Sequence, residues 1–362
     1  MTDIANQRLL NQHIAGEKFE KPETVVRWMG ALQAQDYQQA LWAVGLRTQS
    51  ATVADIEQAI ADRKIVRTWP LRGTIHFVPP EDARWMLKLS ASRMLAMDGR
   101  RQKQLELDEI ILKRCEKLFF EALKGGKRLS RPDMMSLLEN TGISTERQRG
   151  YHILWYLSQS GVICPGPMEG KQQTFVLLDE WVPDSRKLSR EESLAELARR
   201  YFAGHGPATV HDFAWWSGLS VTEARAGLEA AQSGLFSHKI AGKEFWMAQD
   251  TSQRTGSEDS KVYLLPAFDE YLLGYKDRSA VLSPEQATKV VPGKNGMFFP
   301  IIVVAGQVIG TWKRSFKKKS IDISLNLFTP FDDAEARVVE AAQCYSDFVR
   351  LPLTAVEVSY TS

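Results

Sequence analysis

Cysteine is scarce in this chain. There are three, Cys115, Cys164 and Cys344, far apart and in no CxxC spacing. An odd number so placed argues against a disulfide framework and against a thiolate metal cage. The six histidines fall in no HExxH or HxH pattern, so no metal is expected. No glycine-rich loop stands between a strand and a helix, and Gly125-Gly126 reads as a helix end, which leaves no phosphate cradle. A GxSxG elbow is missing too, and no cofactor is expected. No apolar run approaches the roughly 20 residues a membrane span needs. The N-terminal "MTDIANQRLLNQH" lacks the basic-then-apolar order of a secretory signal. A reducing cytoplasm, with the protein associated with the nucleoid, is the expected location. Neither sign of charge dominates, with a net charge of +2 and a pI near 8.3. That permits nucleic-acid binding without arguing for it.

What is present is a chain of 362 residues with 44% hydrophobic and 25% charged residues. These are the proportions of a soluble globular protein with more than one domain. Helical periodicity dominates the first two thirds. "NQRLLNQHI" and "PETVVRWMGALQ" read as short helices. Pro22 suits a helix start, and Val25, Val26, Met29 and Leu32 carry the apolar spacing. "TVADIEQAIADR" is a third helix with Thr52 as its cap. The period then changes. "KIVRTWPLRGTIHFVPP" predicts a hairpin, with a strand from Ile65 to Trp69, a turn from Pro70 to Gly73, and a strand from Thr74 to Val78. "PEDARWMLKLSASRMLAM" is helical again.

The plan repeats. "DEIILKRCEKLFFEAL", "KRLSRPDMMSLLENTGI" and "TERQRGYHILWYLSQSGVIC" predict three helices leading to an extended piece. A third copy runs through "SREESLAELARRYFAGHG", "ATVHDFAWWSGL" and "VTEARAGLEAAQSGLF" to "HKIAGKEFWMA", a hairpin turning at Ala241-Gly242. Helices followed by a hairpin are the winged-helix plan, and a repeat of about 80 residues suggests tandem copies. "DTSQRTGSEDS", from Asp250 to Ser260, reads as a linker or loop tip. The strand-like runs after it, with a turn at Ala305-Gly306, suggest a small β-barrel. They are followed by a helix in "DDAEARVVEAAQCYSDFVRL" and an edge strand in "TAVEVSY". The expected class is α+β, three winged helices and a C-terminal small β-barrel, divided as 1–104, 105–188, 189–250 and 251–362.

Basic residues cluster at winged-helix positions. Arg67 and Arg72 lie in the first hairpin, Lys127 and Arg128 enter the second copy, and Arg147 and Arg149 begin its recognition helix. Lys313, Arg314, Lys317 and Lys318 belong to the densest run. Such runs are usually solvated surface, but residues of this kind contacting phosphates give salt-dependent affinity.

Two further sets have a chemical and a bland reading. "GALQAQDYQQA" places Gln33 and Gln35 two apart. On an ideal helix they point about 200° from each other, so they share a site only if the helix ends or the chain becomes extended there. Otherwise they belong to a solvated helix end. In the hairpin, Arg67 and Trp69 share a face, as do Thr74, His76 and Val78. His76 is either a satisfied core histidine or a functional group, and Trp69 is either core or a stacking platform. "LLPAFDEYLLGYKDRS" holds Asp269, Asp277 and Arg278. Its two acids are loop caps or orient basic groups.

Five stretches occur in an order that resembles one known family: "GALQAQDYQQALWAVGLR", "VRTWPLRGTIHFVPPEDARWML", "GPATVHDFAWWSGL", "LLPAFDEYLLGYKDR" and "VVAGQVIGTWKR". The chain is similar, from about Arg8 to about Leu353, to the winged-helix DNA glycosylases of the AlkZ/YcaQ type. The resemblance implies a C-shaped basic channel for duplex DNA and hydrolysis of the N-glycosidic bond of N7-alkylated purines, including interstrand crosslinks. It implies a monomer acting on double-stranded DNA with alkylated bases. It also implies a Gln-aliphatic-Gln catalytic motif, here Gln33-Ala34-Gln35. Many members carry Pro where this chain has Tyr37. Under this reading Gln35 positions water and Gln33 assists, Gln38 and Gln39 are surface, and Arg67, Arg72 and His76 anchor DNA near the lesion. The alternative is a non-catalytic winged-helix DNA-binding protein, a regulator or architectural factor.

Overall fold

Mixed helices and antiparallel strands fill the computed structural model, which describes residues 3–249, 261–293, 296–331 and 333–360. The expected linker at Asp250 to Ser260 lies outside the described residues. The chain forms two compact units, one made of residues 1–56 with 194–362 and the other of residues 57–193. The helices Val53–Ala61 and Arg190–His205 carry the chain from one unit to the other.

In the unit of residues 57–193, the first hairpin pairs Val66–Leu71 with Thr74–Val78. Its turn is Arg72-Gly73, with φ of +52° and +68°, the left-handed pair that matches strand twist in a two-residue loop. The register jumps between Thr68 and Leu71, across Pro70, because proline has no N–H for the ladder. The helices Glu109–Leu123, Arg131–Asn140 and Arg149–Gln159 follow the long helix Ala83–Gln104. Ser130 and Asp133 form a reciprocal cap on Arg131–Asn140, as expected of a Ser-Arg-Pro-Asp start. The strand Gln172–Leu177 lies between Leu129–Ser130 and Ile163–Glu169. Leu112, Phe119, Leu138, Ile153, Leu157 and Phe175 form one buried cluster that also takes in Trp69.

The other unit begins with the helices Ile4–Asn11, Pro22–Met29 and Tyr37–Gly45. It resumes with Val210–Ser217 and Val221–Ala231, each closed by a reciprocal Thr/Ser–Asp/Glu cap. The hairpin Leu235–Ile240/Lys243–Ala248 turns at Ala241-Gly242 as expected, with φ of +48° and +78°.

The C-terminal strands form an open five-stranded sheet rather than the expected small barrel. Leu353–Tyr360 is one edge, followed by Ile321–Leu327, Gln307–Phe316 and Ile301–Val304, with Val262–Leu265 as the other edge. The edge strand Leu353–Tyr360 runs parallel to its neighbour and the remaining pairs are antiparallel. The apolar face is covered by helices, not by closure. Tyr345 of the helix Ala334–Val349 meets both Trp312 and Trp42 edge-on at 5.1 Å. Trp42 and Trp312 donate their indole N–H groups to the carbonyls of Leu264 and Leu265 at 2.7 and 2.8 Å.

Candidate active site

The glutamine stretch starts where a helix is forced to stop. Gly30 follows Pro22–Met29 with φ of +75°, a conformation that glycine adopts without steric cost. A Cβ built there would sit 3.5 Å from Arg200, so the dihedral sets the requirement and space does not. The chain then runs extended through Leu32–Gln33 and bends at Gln35. Asp36 caps the next helix, Tyr37–Gly45, by accepting the Gln39 N–H at 3.3 Å. The condition for a shared glutamine site is therefore met. Leu32 and Ala34 are 1% and 0% exposed, while Gln33 is half-buried and Gln35 exposed. This alternation is that of an extended chain with one side in water. Gln38 is exposed, but Gln39 is not the surface residue expected. It is buried, and its Oε1 accepts the Ala267 N–H at 3.1 Å.

A buried carboxylate braces this loop. The Gln33 N–H donates to Glu270 Oε1 at 3.1 Å, and Glu270 is 1% exposed. The Trp216 indole N–H donates to Glu270 Oε2 at 2.8 Å, and His205 Nε2 lies 3.4 Å from the same oxygen. His205 Nδ1 makes no hydrogen bond, so hydrogen on Nε2 is the tautomer that leaves an acceptor, not a donor, bare. Donors on both oxygens suit an ionised carboxylate, which only accepts. The adjacent Asp269 is used separately. It takes Arg47 in a buried two-point pair at 2.8 and 2.9 Å and accepts the Tyr271 N–H at 2.9 Å. It is thus both a cap and an orienter of a basic group. Asp277 is similar at the surface. It pairs with Lys243 at 2.5 Å and accepts from Ser279. The Lys243 ammonium and then Ser279 hold its carboxyl well below the usual range.

The first hairpin places its polar groups inside its own unit. Arg67 is 4% exposed and donates to Gln173 Oε1; Trp69 is 3% exposed in the core. His76 is fully buried, with Nδ1 donating to the Thr74 carbonyl at 2.9 Å and Nε2 receiving Arg72 Nη2 at 3.4 Å. For Trp69 and His76 the bland reading of the sequence fits this placement. Arg72, at the turn, is half-exposed.

The other basic residues separate into two groups. Lys127, Arg147, Lys313 and Lys318 are exposed. Arg128 is paired with Glu169 at 2.8 Å, and Lys317 with Asp322 at 2.5 Å. Arg149 turns back onto the carbonyls of Ser144, Glu106 and Leu105. Arg314 is half-buried, 5.6 Å from the Tyr345 ring. Burial pushes the Cys115 thiol up to about 11 and the Cys164 thiol further still, so both are poor nucleophiles. Among the described residues, no cluster of three or more His, Cys, Asp or Glu could hold a metal. No helix among them is long and apolar enough to cross a membrane.

Comparison with known proteins decides the family. Residues 26–348 match the family described as DNA glycosylase AlkZ-like. The chain belongs to the AlkZ-like DNA glycosylases. It is therefore a hydrolase of the DNA N-glycosidic bond, with DNA as its substrate. An AlkZ-like relative from Streptomyces sahachiroi, an interstrand DNA cross-link repair glycosylase, is 24% identical over 350 residues. That alignment covers 93% of this chain and 92% of the relative. The solved structure of the Streptomyces sahachiroi DNA glycosylase AlkZ matches with a TM-score of 0.79 at 22% identity, over 98% of each chain. The AlkZ-like fold is thus shared nearly end to end.

Glu270, His205 and Trp216 are the members of this site that sequence reasoning missed. The available signal was the pair of adjacent acids, Asp269 and Glu270, set among apolar residues from Phe268 to Leu273, where a buried carboxylate needs donors.

Proposed function

We propose that this AlkZ-like enzyme releases N7-alkylated purines from duplex DNA, from monoadducts and from interstrand crosslinks, with water positioned by Gln35 and Gln33. The observation that carries this reading is the pair of accessible amides on an extended, braced loop. The one acid in that loop, Asp36, is spent on a helix cap.

The chemistry suits amides. An N7-alkylated guanine is already a cation and leaves as a neutral base, so no strong general acid is required. The sugar acquires oxocarbenium character, and neutral water suffices as nucleophile. An amide cannot act as a base at neutral pH. Its carbonyl can accept a hydrogen bond from water and direct a dipole at the developing charge. Gln35 takes that role and Gln33 holds the same water or the deoxyribose. A crosslinked base cannot be swung into a closed pocket, which favours side chains presented on an open loop. The Streptomyces sahachiroi relative, an interstrand DNA cross-link repair glycosylase, supports crosslinks as a substrate class.

The three helix-and-hairpin segments are read as winged helices. Lys127 and Arg147 in the second of them, and Lys313 and Lys318 at the C-terminal sheet, are the phosphate contacts, with Arg72 near the lesion. Arg67, Trp69, His76 and Arg149 act as the framework beneath such contacts, and Arg128, Arg314 and Lys317 join DNA only by exchanging their present partners. The protein acts as a monomer.

The test is incubation with duplexes carrying N7-methylguanine or an N7–N7 crosslink, scoring abasic sites. Release from both is expected. No release from either, with DNA binding intact, sinks the substrate assignment. Full activity in Gln35→Ala sinks the role of the motif while leaving the enzyme class untouched.

A further inference from the structure

We infer that Glu270 is a positioning residue for base excision, acting through the backbone of Gln33. The inference rests on the catalytic reading of Gln33. The contact is between a buried side chain and the peptide N–H of the loop, and the Gln33 side chain is itself half-buried. Glu270 itself is held from other sides. Trp216, fully buried, fixes Oε2. The buried His205 ring, stacked at 4.8 Å on Tyr201, approaches the same oxygen. Asp269, next in the chain, is locked to Arg47, so the backbone carrying Glu270 has little freedom to drift. Oε1 is thus a fixed point, and the loop hangs from it at the residue whose amide must face the sugar.

Both oxygens of Glu270 meet an N–H donor. A carboxylate serves both at once. A carboxamide has one accepting oxygen and must turn its NH2 toward either Gln33 or Trp216, leaving two donors facing each other. Glu270→Gln is nearly isosteric, so it tests acceptance without opening a cavity.

Single-turnover base release from N7-methylguanine DNA is expected to fall about 10- to 100-fold in Glu270→Gln, since small displacements of a positioning group cost that much. DNA affinity should stay within about twofold, because the change leaves every proposed phosphate contact in place. Two further readouts separate positioning from general support. Combining Gln33→Ala with Glu270→Gln should be no slower than Gln33→Ala alone, since both changes disable one device. Adding Trp216→Phe to Glu270→Gln removes the nearer of the two donors on that side. His205, by moving its hydrogen to Nδ1, can then accept the amide NH2 on Nε2, which frees the amide oxygen for the Gln33 N–H and should restore the rate toward that of Trp216→Phe. If Glu270→Gln does not fold, the same cycle is run in the Trp216→Phe background. Wild-type release by Glu270→Gln, or losses that multiply with Gln33→Ala, overturns the inference. If Gln33→Ala itself is as fast as wild type, the catalytic reading of Gln33 fails instead. If Gln33→Ala is slow while Glu270→Gln is fast, only the present inference fails.

Discussion

The glutamine loop and the first hairpin make opposite use of polar side chains. In the loop, the backbone is tied to a buried acid and the amides are left half-buried or exposed. In the hairpin strand Val66–Leu71 every residue is buried, and Arg67 and His76 are held by Gln173, Thr74 and Arg72. A braced backbone with accessible side chains is a site. Buried side chains that satisfy one another are a frame, whatever their chemical reputation. This contrast, more than residue type, is the ground for proposing catalysis by two glutamines and support by a histidine and an arginine.

The largest effect that tests the contrast is on the loop. Gln35→Ala should lower base release by about 100-fold or more, the scale of losing one preorganised polar contact, with an unchanged melting temperature. A rate close to wild type would put the loop in the same class as the hairpin. The converse is expected for Arg67→Ala. Leaving Gln173 Oε1 without its donor should cost about 1–3 kcal/mol of stability by denaturant unfolding. Release per folded molecule should stay within about twofold, because no reacting group is touched. A large rate loss without destabilisation would move Arg67 to the catalytic side.

Smaller effects are expected where neither description applies. Lys127→Ala and Lys318→Ala should each weaken DNA binding severalfold at low salt and reduce the slope of log affinity against log salt by about 1. An unchanged slope would remove that lysine from the phosphate contacts. Asp277→Asn should cost under about 1 kcal/mol, because its pair with Lys243 is solvent-screened. The folded carboxyl lies below its ordinary value, chiefly through Lys243 and then Ser279. Its contribution is therefore present above the usual carboxylate range and lost as pH falls through and below it. The variant should show a flatter loss of stability below pH ~4 than the parent.

Local chemistry was the legible part of this fold. The turns at Ala241-Gly242 and Ala305-Gly306, and the Thr52 cap, are written in neighbouring residues and occur as read. The helix Tyr37–Gly45 was missed because seven of its nine residues are buried, which erases the apolar stripe that reveals a helix. Strand alternation in Ile321–Leu327 shows one buried face but not whether a sheet closes or is roofed by helices. Gln33 and Gln35 were recognisable only through the family resemblance of five ordered motifs, since spacing alone allowed a solvated helix end. Glu270 was hidden for another reason. Its key bond is to a peptide N–H, which every residue but proline offers, so no side-chain pattern marks it.

That bond spans 237 residues of chain. A ribosome making about 5–20 residues per second emits Glu270 roughly 10–50 s after Gln33. All of residues 57–193 are synthesised in that interval. The loop waits unbraced while they are made, and a chain interrupted between Gln35 and Glu270 carries both glutamines but not their anchor. Excision activity, on this account, comes late in the life of the nascent chain, and a fragment that binds DNA need not be one that cuts it.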